Sequence, residues 1–317
     1  MNQYCRLRIS SLVLALSMLG AAFAQPPATE SGFVYVEDDV RIFYQRFGSG
    51  TPKVFIPNRQ EVILSFAPLL NFHDVVTWDP RGRGLSDRPD DLSRYGFEVE
   101  FADAEALRRH FGSEDITYVG LSLWANVGLL YAASYPESVA RVVALAPMEI
   151  ATELYTPPDR VVEHDVSAFV AQYEAMERDG RNVTEAHEYC RIGQIAFWAD
   201  AYIDMKNMAA FMAANQCQYA NEAGDMIGPV IFEGIFGKLG EWDWREDMTR
   251  VAAPVLLLFG DHEHAIAGVE AYADHLPDVG WLMVENAAHH VHNDRPDVVI
   301  PMMDVFFRGQ WPEGLNR

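Results

Sequence analysis

Ser122 lies in the run Ile116-Thr117-Tyr118-Val119-Gly120-Leu121-Ser122-Leu123-Trp124-Ala125-Asn126-Val127-Gly128. The β-branched and aromatic residues that open it have the composition of a buried strand. Gly120 opens a turn, and Leu123 to Tyr135 continues as an apolar, Ala- and Leu-rich helical stretch. A strand that turns sharply into a helix with Ser at the apex lifts the hydroxyl above the sheet. It also aims the helix N-terminus at whatever the Ser attacks. The plainer alternative is an ordinary strand–helix turn in which Ser122 caps the helix. A Ser hydroxyl is a poor nucleophile until a neutral imidazole takes its proton, and the imidazole needs a carboxylate to fix its tautomer. The chain supplies both downstream: Asp261 and Glu263 after the apolar run Pro254–Phe259, and His289 after the run Gly280–Glu285. Glu149 follows a third such run, Val139–Ala146. The order Ser, acid, His suits acyl transfer.

The elements that must position these groups alternate. Phe33–Val36 and Val40–Phe47 read as an opening hairpin, and Lys53–Ile56 and Asp74–Trp78 as short strands. Val62–Leu70, Phe97–Phe111 and Val298–Phe307 have helical spacing. From about Pro147 to Arg245 the composition shifts to Met, Ala, Glu and aromatics with helical periodicity, as in an inserted helical module. Strands alternating with helices predict an α/β fold with a doubly wound, mostly parallel sheet. Such a sheet gathers its ligand site at the carboxyl ends of the strands. Asn58, Arg59, Asp79, Ser122, Glu149, Asp261, Glu263 and His289 then share one rim.

These motifs resemble those of the α/β-hydrolase superfamily, in the branch of capped, proline iminopeptidase-like serine hydrolases. The resemblance is carried by Val119-Gly120-Leu121-Ser122, Tyr135-Pro136-Glu137 and Asp79-Pro80-Arg81-Gly82-Arg83-Gly84-Leu85-Ser86-Asp87. Pro254–Gly260 and Asn286-Ala287-Ala288-His289 with Arg295-Pro296 complete it. It implies an α/β-hydrolase core over residues 25–147 and 247–317, with a helical cap over 148–246. By position Ser122 matches the nucleophile, His289 the base and Glu263 the acid, with Asp261 and Glu149 as alternatives for the acid. His290 and His292 read as loop or pocket residues. The backbone N–H of Leu123 matches one oxyanion donor. The other belongs to the loop after Lys53–Ile56, from Arg59 or Gln60, or from the Asn58 side chain.

The sequence departs from the family at two places. The usual His-Gly of that loop is Pro57-Asn58-Arg59, and Trp124 stands where the elbow normally has Gly. Trp124 is therefore a candidate pocket wall. The cap offers Trp198, Tyr202, Met205, Phe211, Met212 and Tyr219 either as lining or as its own core. Glu222, Asp225 and Glu233 could hold a substrate amine, as cap carboxylates do in the aminopeptidases of this branch. The expected activity is cleavage of a carboxylic ester or related acyl bond. The same machinery in a prolyl or N-terminal aminopeptidase, or a non-catalytic small-molecule binder, are the alternatives. No cofactor is expected, and no metal, since His289 and His290 are adjacent and poorly placed to face one ion.

The chain has 317 residues, half of them hydrophobic, enough for one large domain with an insertion. Arg6 and Arg8, the apolar run Leu12–Leu19 and Ala22-Phe23-Ala24 form a signal-peptide pattern, so residues 1–24 are expected to be removed on export to the periplasm or medium. Loss of Arg6 and Arg8 takes the formal charge from -22 to -24. So acidic a chain repels phosphate backbones and anionic lipid, which disfavours nucleic-acid and membrane partners and leaves a small molecule or short peptide as substrate. A monomer or homodimer is expected. Cys190 and Cys217, an even pair in an oxidising compartment, are expected to form a disulfide.

Overall fold

The computed structural model describes residues 27–37, 39–51, 53–59, 63–154, 161–214, 217, 233–263 and 266–317. The signal-peptide pattern, Gln60, Tyr219, Glu222 and Asp225 lie outside them.

Eight strands form one sheet in the order β1-β2-β4-β3-β5-β6-β7-β8. β1 (Glu30–Glu37) and β2 (Val40–Phe47) are the expected hairpin, and β2 also runs antiparallel to β4 (Val75–Trp78). From β4 onward all pairs are parallel: β3 (Val54–Ile56), β5 (Ile116–Leu121), β6 (Val139–Leu145), β7 (Val255–Gly260) and β8 (Val279–Val284). This is the doubly wound, mostly parallel sheet expected from the alternating pattern.

β5 is central and all six of its residues are buried, which is why it reads as an unbroken apolar run and not an alternating one. Alternate side chains enter two different cores. Tyr118, Val142, Ala144, Val255 and Leu257 meet helices α1 (Phe97–His110) and α2 (Leu123–Ser134) on one face. Val119, Leu121, Val143, Leu145, Leu256 and Leu258 meet the C-terminal helix Pro296–Phe307 on the other. The loop after β4 is anchored from below. Buried Arg81 makes paired bonds of 2.8 and 2.6 Å to Asp103 of α1 and a third to Glu37 of β1.

Between β6 and β7 the described chain is helical, chiefly α3 (Ser167–Arg178) and α4 (Ala186–Trp198). Its own buried core is small: Ala199, Tyr202, Met208 and Phe211, with Met205 and Met212 packed against them. Those of the candidate lining aromatics and methionines are therefore packing residues of the insertion. A small core needs other fastenings. Tyr173 and Tyr189 stack at 4.3 Å between α3 and α4, and Cys190 is joined to Cys217 by a disulfide. Closing that loop is worth roughly 3–4 kcal/mol on the chain-entropy account.

Candidate active site

The turn at Ser122 is tight because Gly120 lets it be. A Cβ on Gly120 would sit 2.2 Å from the Trp124 carbonyl oxygen. Ser122 itself takes φ 55 and ψ -127, a strained combination for a residue with a side chain. Such outliers cost on the order of 1–3 kcal/mol and persist only where the surroundings impose them. The backbone imposes this one: Ser122 N–H donates to Leu145 O at 2.8 Å, while Ala125 N–H donates to Ser122 O. Ser122 occupies the N-cap position of α2 but its side chain makes no capping hydrogen bond. That excludes the plain helix-cap reading. Ser122 stands at the head of the helix, with Leu123 its first residue.

The loop after β3 solves its sequence departure through Asn58. Asn58 is buried and has φ 58, the left-handed conformation that glycine adopts freely and that asparagine tolerates better than most residues. It thus adopts the left-handed backbone that a glycine would supply at this turn, with Arg59 next in the chain. The Arg59 side chain turns the other way and makes bonds of 3.0 and 2.9 Å to buried Asp79. Burial lifts the Asp79 carboxyl above its ordinary range, with the Arg59 guanidinium opposing the rise. Asn58 Oδ1 accepts a 2.7 Å bond from Arg83 Nη1, and the Arg83 guanidinium lies 5.3 Å from the centre of the Trp124 ring. Trp124 is only 5% exposed, so it forms a floor beneath Arg83 and little of an open pocket wall.

On the far side of β5, Gly260 ends β7 against the histidine loop. A Cβ there would sit 2.3 Å from Ala288 O. Among the three candidate acids, Glu263 meets His289: its Oε1 lies 3.1 Å from Nδ1. A carboxylate can only accept, so this contact places the proton on Nδ1 and leaves Nε2 as the basic nitrogen. Asp261 instead accepts from His262 Nδ1 at 2.7 Å and from the Ala287 N–H at 3.2 Å, shaping the loop that carries His289. Glu149 is half-buried after β6. Burial raises its carboxyl, the charge of Glu263 raises it further, and His289 draws it back. Two carboxylates therefore share the electrostatic surroundings of one imidazole, with Glu263 in contact.

His290 and His292 are buried rather than pocket-facing. His290 stacks flat on Tyr202 at 4.4 Å, and His292 lies against Phe66 at 4.9 Å. Burial holds both imidazoles below the ordinary histidine range, His292 at about 3. The same loop is tied to the insertion: His290 N–H donates to Ala201 O at 3.1 Å. Asp294 accepts from Ile203 N–H at 3.1 Å, from Asn207 at 2.7 Å and from Ala288 N–H at 2.9 Å. Trp198, at the end of α4, is 41% exposed with its ring centre 6.4 Å from that of His289, so it borders the site. Glu233 is exposed. No group of three or more His, Cys, Asp or Glu among the described residues is placed to hold a metal ion.

Arg83 and Asp294 were not among the residues marked in the sequence. Asp294 left no signal, and Arg83 left only its place in a glycine-rich loop.

A mostly parallel eight-stranded sheet, interrupted by helices after β6 and bearing a strained Ser at the β5–α2 turn, is the architecture of an α/β hydrolase. The chain belongs to that family: the model of the alpha/beta hydrolase fold matches residues 58–296. A putative non-heme chloroperoxidase of Synechocystis is 24% identical over 282 residues, covering 85% of this chain and 95% of the relative. The proline iminopeptidase of Saccharolobus solfataricus is 21% identical over 255 residues, covering 78% and 80%. Among solved structures, a putative aryl esterase from Burkholderia cenocepacia superimposes with a TM-score of 0.64 at 21% identity, over 88% of this chain and 98% of that one.

Proposed function

We propose that the chain is an exported serine hydrolase that cleaves a carboxylic ester through an acyl-enzyme. The observation that carries this reading is Ser122, held at φ 55 with its hydroxyl unused as a cap. Backbone strain of this kind clusters at functional sites. Ser122 Oγ attacks the ester carbonyl carbon while His289 Nε2 takes the hydroxyl proton. The carbonyl oxygen becomes an oxyanion held by the N–H groups of Leu123 and Arg59. His289 then protonates the departing alcohol, and the acyl group stays on Ser122 until water, deprotonated by the same imidazole, releases the acid. Glu263 keeps the His289 proton on Nδ1 and stabilises the transient imidazolium. Trp198 borders the substrate's approach.

Export rests on the signal-peptide pattern at residues 1–24 and is supported by the Cys190–Cys217 bond, which suits an oxidising compartment. A second reading, an N-terminal aminopeptidase on the same machinery, is favoured by the proline iminopeptidase relative.

The test is one plate with the mature protein and Ser122→Ala against short-chain p-nitrophenyl esters and proline and alanine p-nitroanilides. Ester turnover that vanishes in the variant is expected. Proline anilide turnover at comparable kcat/KM moves the assignment to the aminopeptidase, and equal rates for wild type and variant overturn the serine mechanism.

A further inference from the structure

The two N–H groups assigned above to the oxyanion come from different segments of chain. Arg59 follows β3, and Leu123 heads α2. The pairing of β3 with β5 fixes the strands beneath them; beyond the strand ends, a side chain from a third segment touches both sides of the gap. Arg83, in the loop after β4, bonds to Asn58, the residue immediately before Arg59, and lies on Trp124, the residue immediately after Leu123. Its loop is itself immobilised. Asp79 grips Arg59 and accepts the Leu85 N–H, Ser86 Oγ donates to Asp79 O, and Arg81 is locked to Asp103.

The two places where the sequence departs from its family, Asn58 for glycine and Trp124 for glycine, are thus the two places that Arg83 touches. A left-handed Asn is less secure than a left-handed Gly, because its side chain favours returning to φ below zero. A hydrogen bond to its Oδ1 opposes that return. A guanidinium is planar and rigid, so it can stack on an indole and donate in its own plane at the same time, which an ammonium cannot.

We propose that Arg83 is a positioning residue that sets the spacing of the two oxyanion donors, bracing the loop after β3 against the head of α2. The proposal rests on the serine-hydrolase reading. It predicts a defect confined to the transition state, where the donors must meet a newly formed anion; a misplacement near 1 Å costs on the order of 100-fold.

The experiment compares wild type, Arg83→Met, Arg83→Lys, Asn58→Gly and the Asn58→Gly/Arg83→Met double variant. Rates with p-nitrophenyl butyrate are normalised to sites titrated by a fluorophosphonate, so that misfolded protein is not counted. Affinity for phenylboronic acid is measured alongside. Its boron accepts an electron pair from Ser122 Oγ as His289 takes the proton, giving a tetrahedral anion that occupies the oxyanion site. Arg83→Met is expected to lose roughly 30- to 100-fold in kcat, with KM within about threefold and boronate affinity falling in parallel with kcat. Arg83→Lys, which keeps the charge but not the plane, recovers less than about threefold. In the Asn58→Gly background, where the turn no longer depends on the bond, Arg83→Met costs clearly less.

Full additivity of the pair, a kcat within threefold of wild type, or a loss appearing in KM alone overturns the proposal. A wild type inert to both esters and fluorophosphonate overturns the serine-hydrolase reading, and the inference with it. An active wild type with an additive cycle overturns the inference alone.

Discussion

Replacing Glu263 by Gln keeps the shape of the acid and removes its charge from the 3.1 Å contact with His289 Nδ1. The relevant energy is the attraction between the carboxylate and the imidazolium that exists only while Ser122 is reacting. Coulomb's law at that separation gives about 5 kcal/mol at an effective dielectric of about 20 and about 1.3 kcal/mol in bulk water. The His289 side chain is 13% exposed and that of Glu263 36% exposed, so the pair lies between these limits. A loss of about 2–4 kcal/mol, roughly 30- to 1,000-fold in kcat, is expected. Glu149→Gln should cost less than about tenfold, because it is the Glu263 carboxylate that contacts His289 Nδ1. Asp261→Asn keeps an acceptor for the Ala287 N–H and should stay within about threefold of wild type. The assay is kcat for p-nitrophenyl butyrate per titrated site. If Glu149→Gln proves more damaging than Glu263→Gln, the acid comes from β6 and the argument from the Nδ1 contact is wrong.

Acid should weaken the fold through His290 and His292. Both are held neutral, with folded values below those of the unfolded chain, so below about pH 6.5 the unfolded state binds protons that the native state does not. Stability is then complete above that pH and is lost as pH falls toward the His292 value of about 3. Between pH 7 and pH 5 the urea midpoint of wild type should fall relative to that of His292→Phe; an unchanged difference between the two would count against the buried neutral pair. Gly120→Ala drives a Cβ into the Trp124 carbonyl and should cost more than about 4 kcal/mol; a soluble variant with an unchanged Tm would refute the close approach. Arg81→Met leaves Asp103 buried without its partner and should cost about 3–5 kcal/mol. Burial already lifts Asp103 to about 6, so the variant can protonate it in mild acid. Thermal melts should accordingly show a larger deficit at pH 8 than at pH 5.5.

The parallel sheet was legible because both its faces are covered, and strands so placed are written as unbroken apolar runs. The elbow was legible because only Gly fits before the turn. Asn58 was half legible. Its side chain reads as a possible donor in place of the loop's backbone, whereas its φ of 58 shows it holding a left-handed turn. Trp124 reads in sequence as a pocket wall, but it joins the buried core, with the Arg83 guanidinium over its ring. His290 and His292 misled for a related reason. Imidazoles near a rim suggest a wet pocket, whereas here His290 lies on the ring of Tyr202 and His292 against Phe66. The insertion's small core was invisible, because aromatic residues that line a pocket and those that fill a core have the same periodicity.

The moorings between the histidine loop and the insertion have a mechanical consequence. His290 and Asp294 are bonded to or stacked on residues 201–207, and Asp294 also accepts the N–H of Ala288, the residue before His289. The roof and the imidazole are therefore a single rigid part along that edge, and the sheet's last βα corner travels with it. A change at Ala201, Tyr202, Ile203 or Asn207 would therefore act on the loop that carries His289.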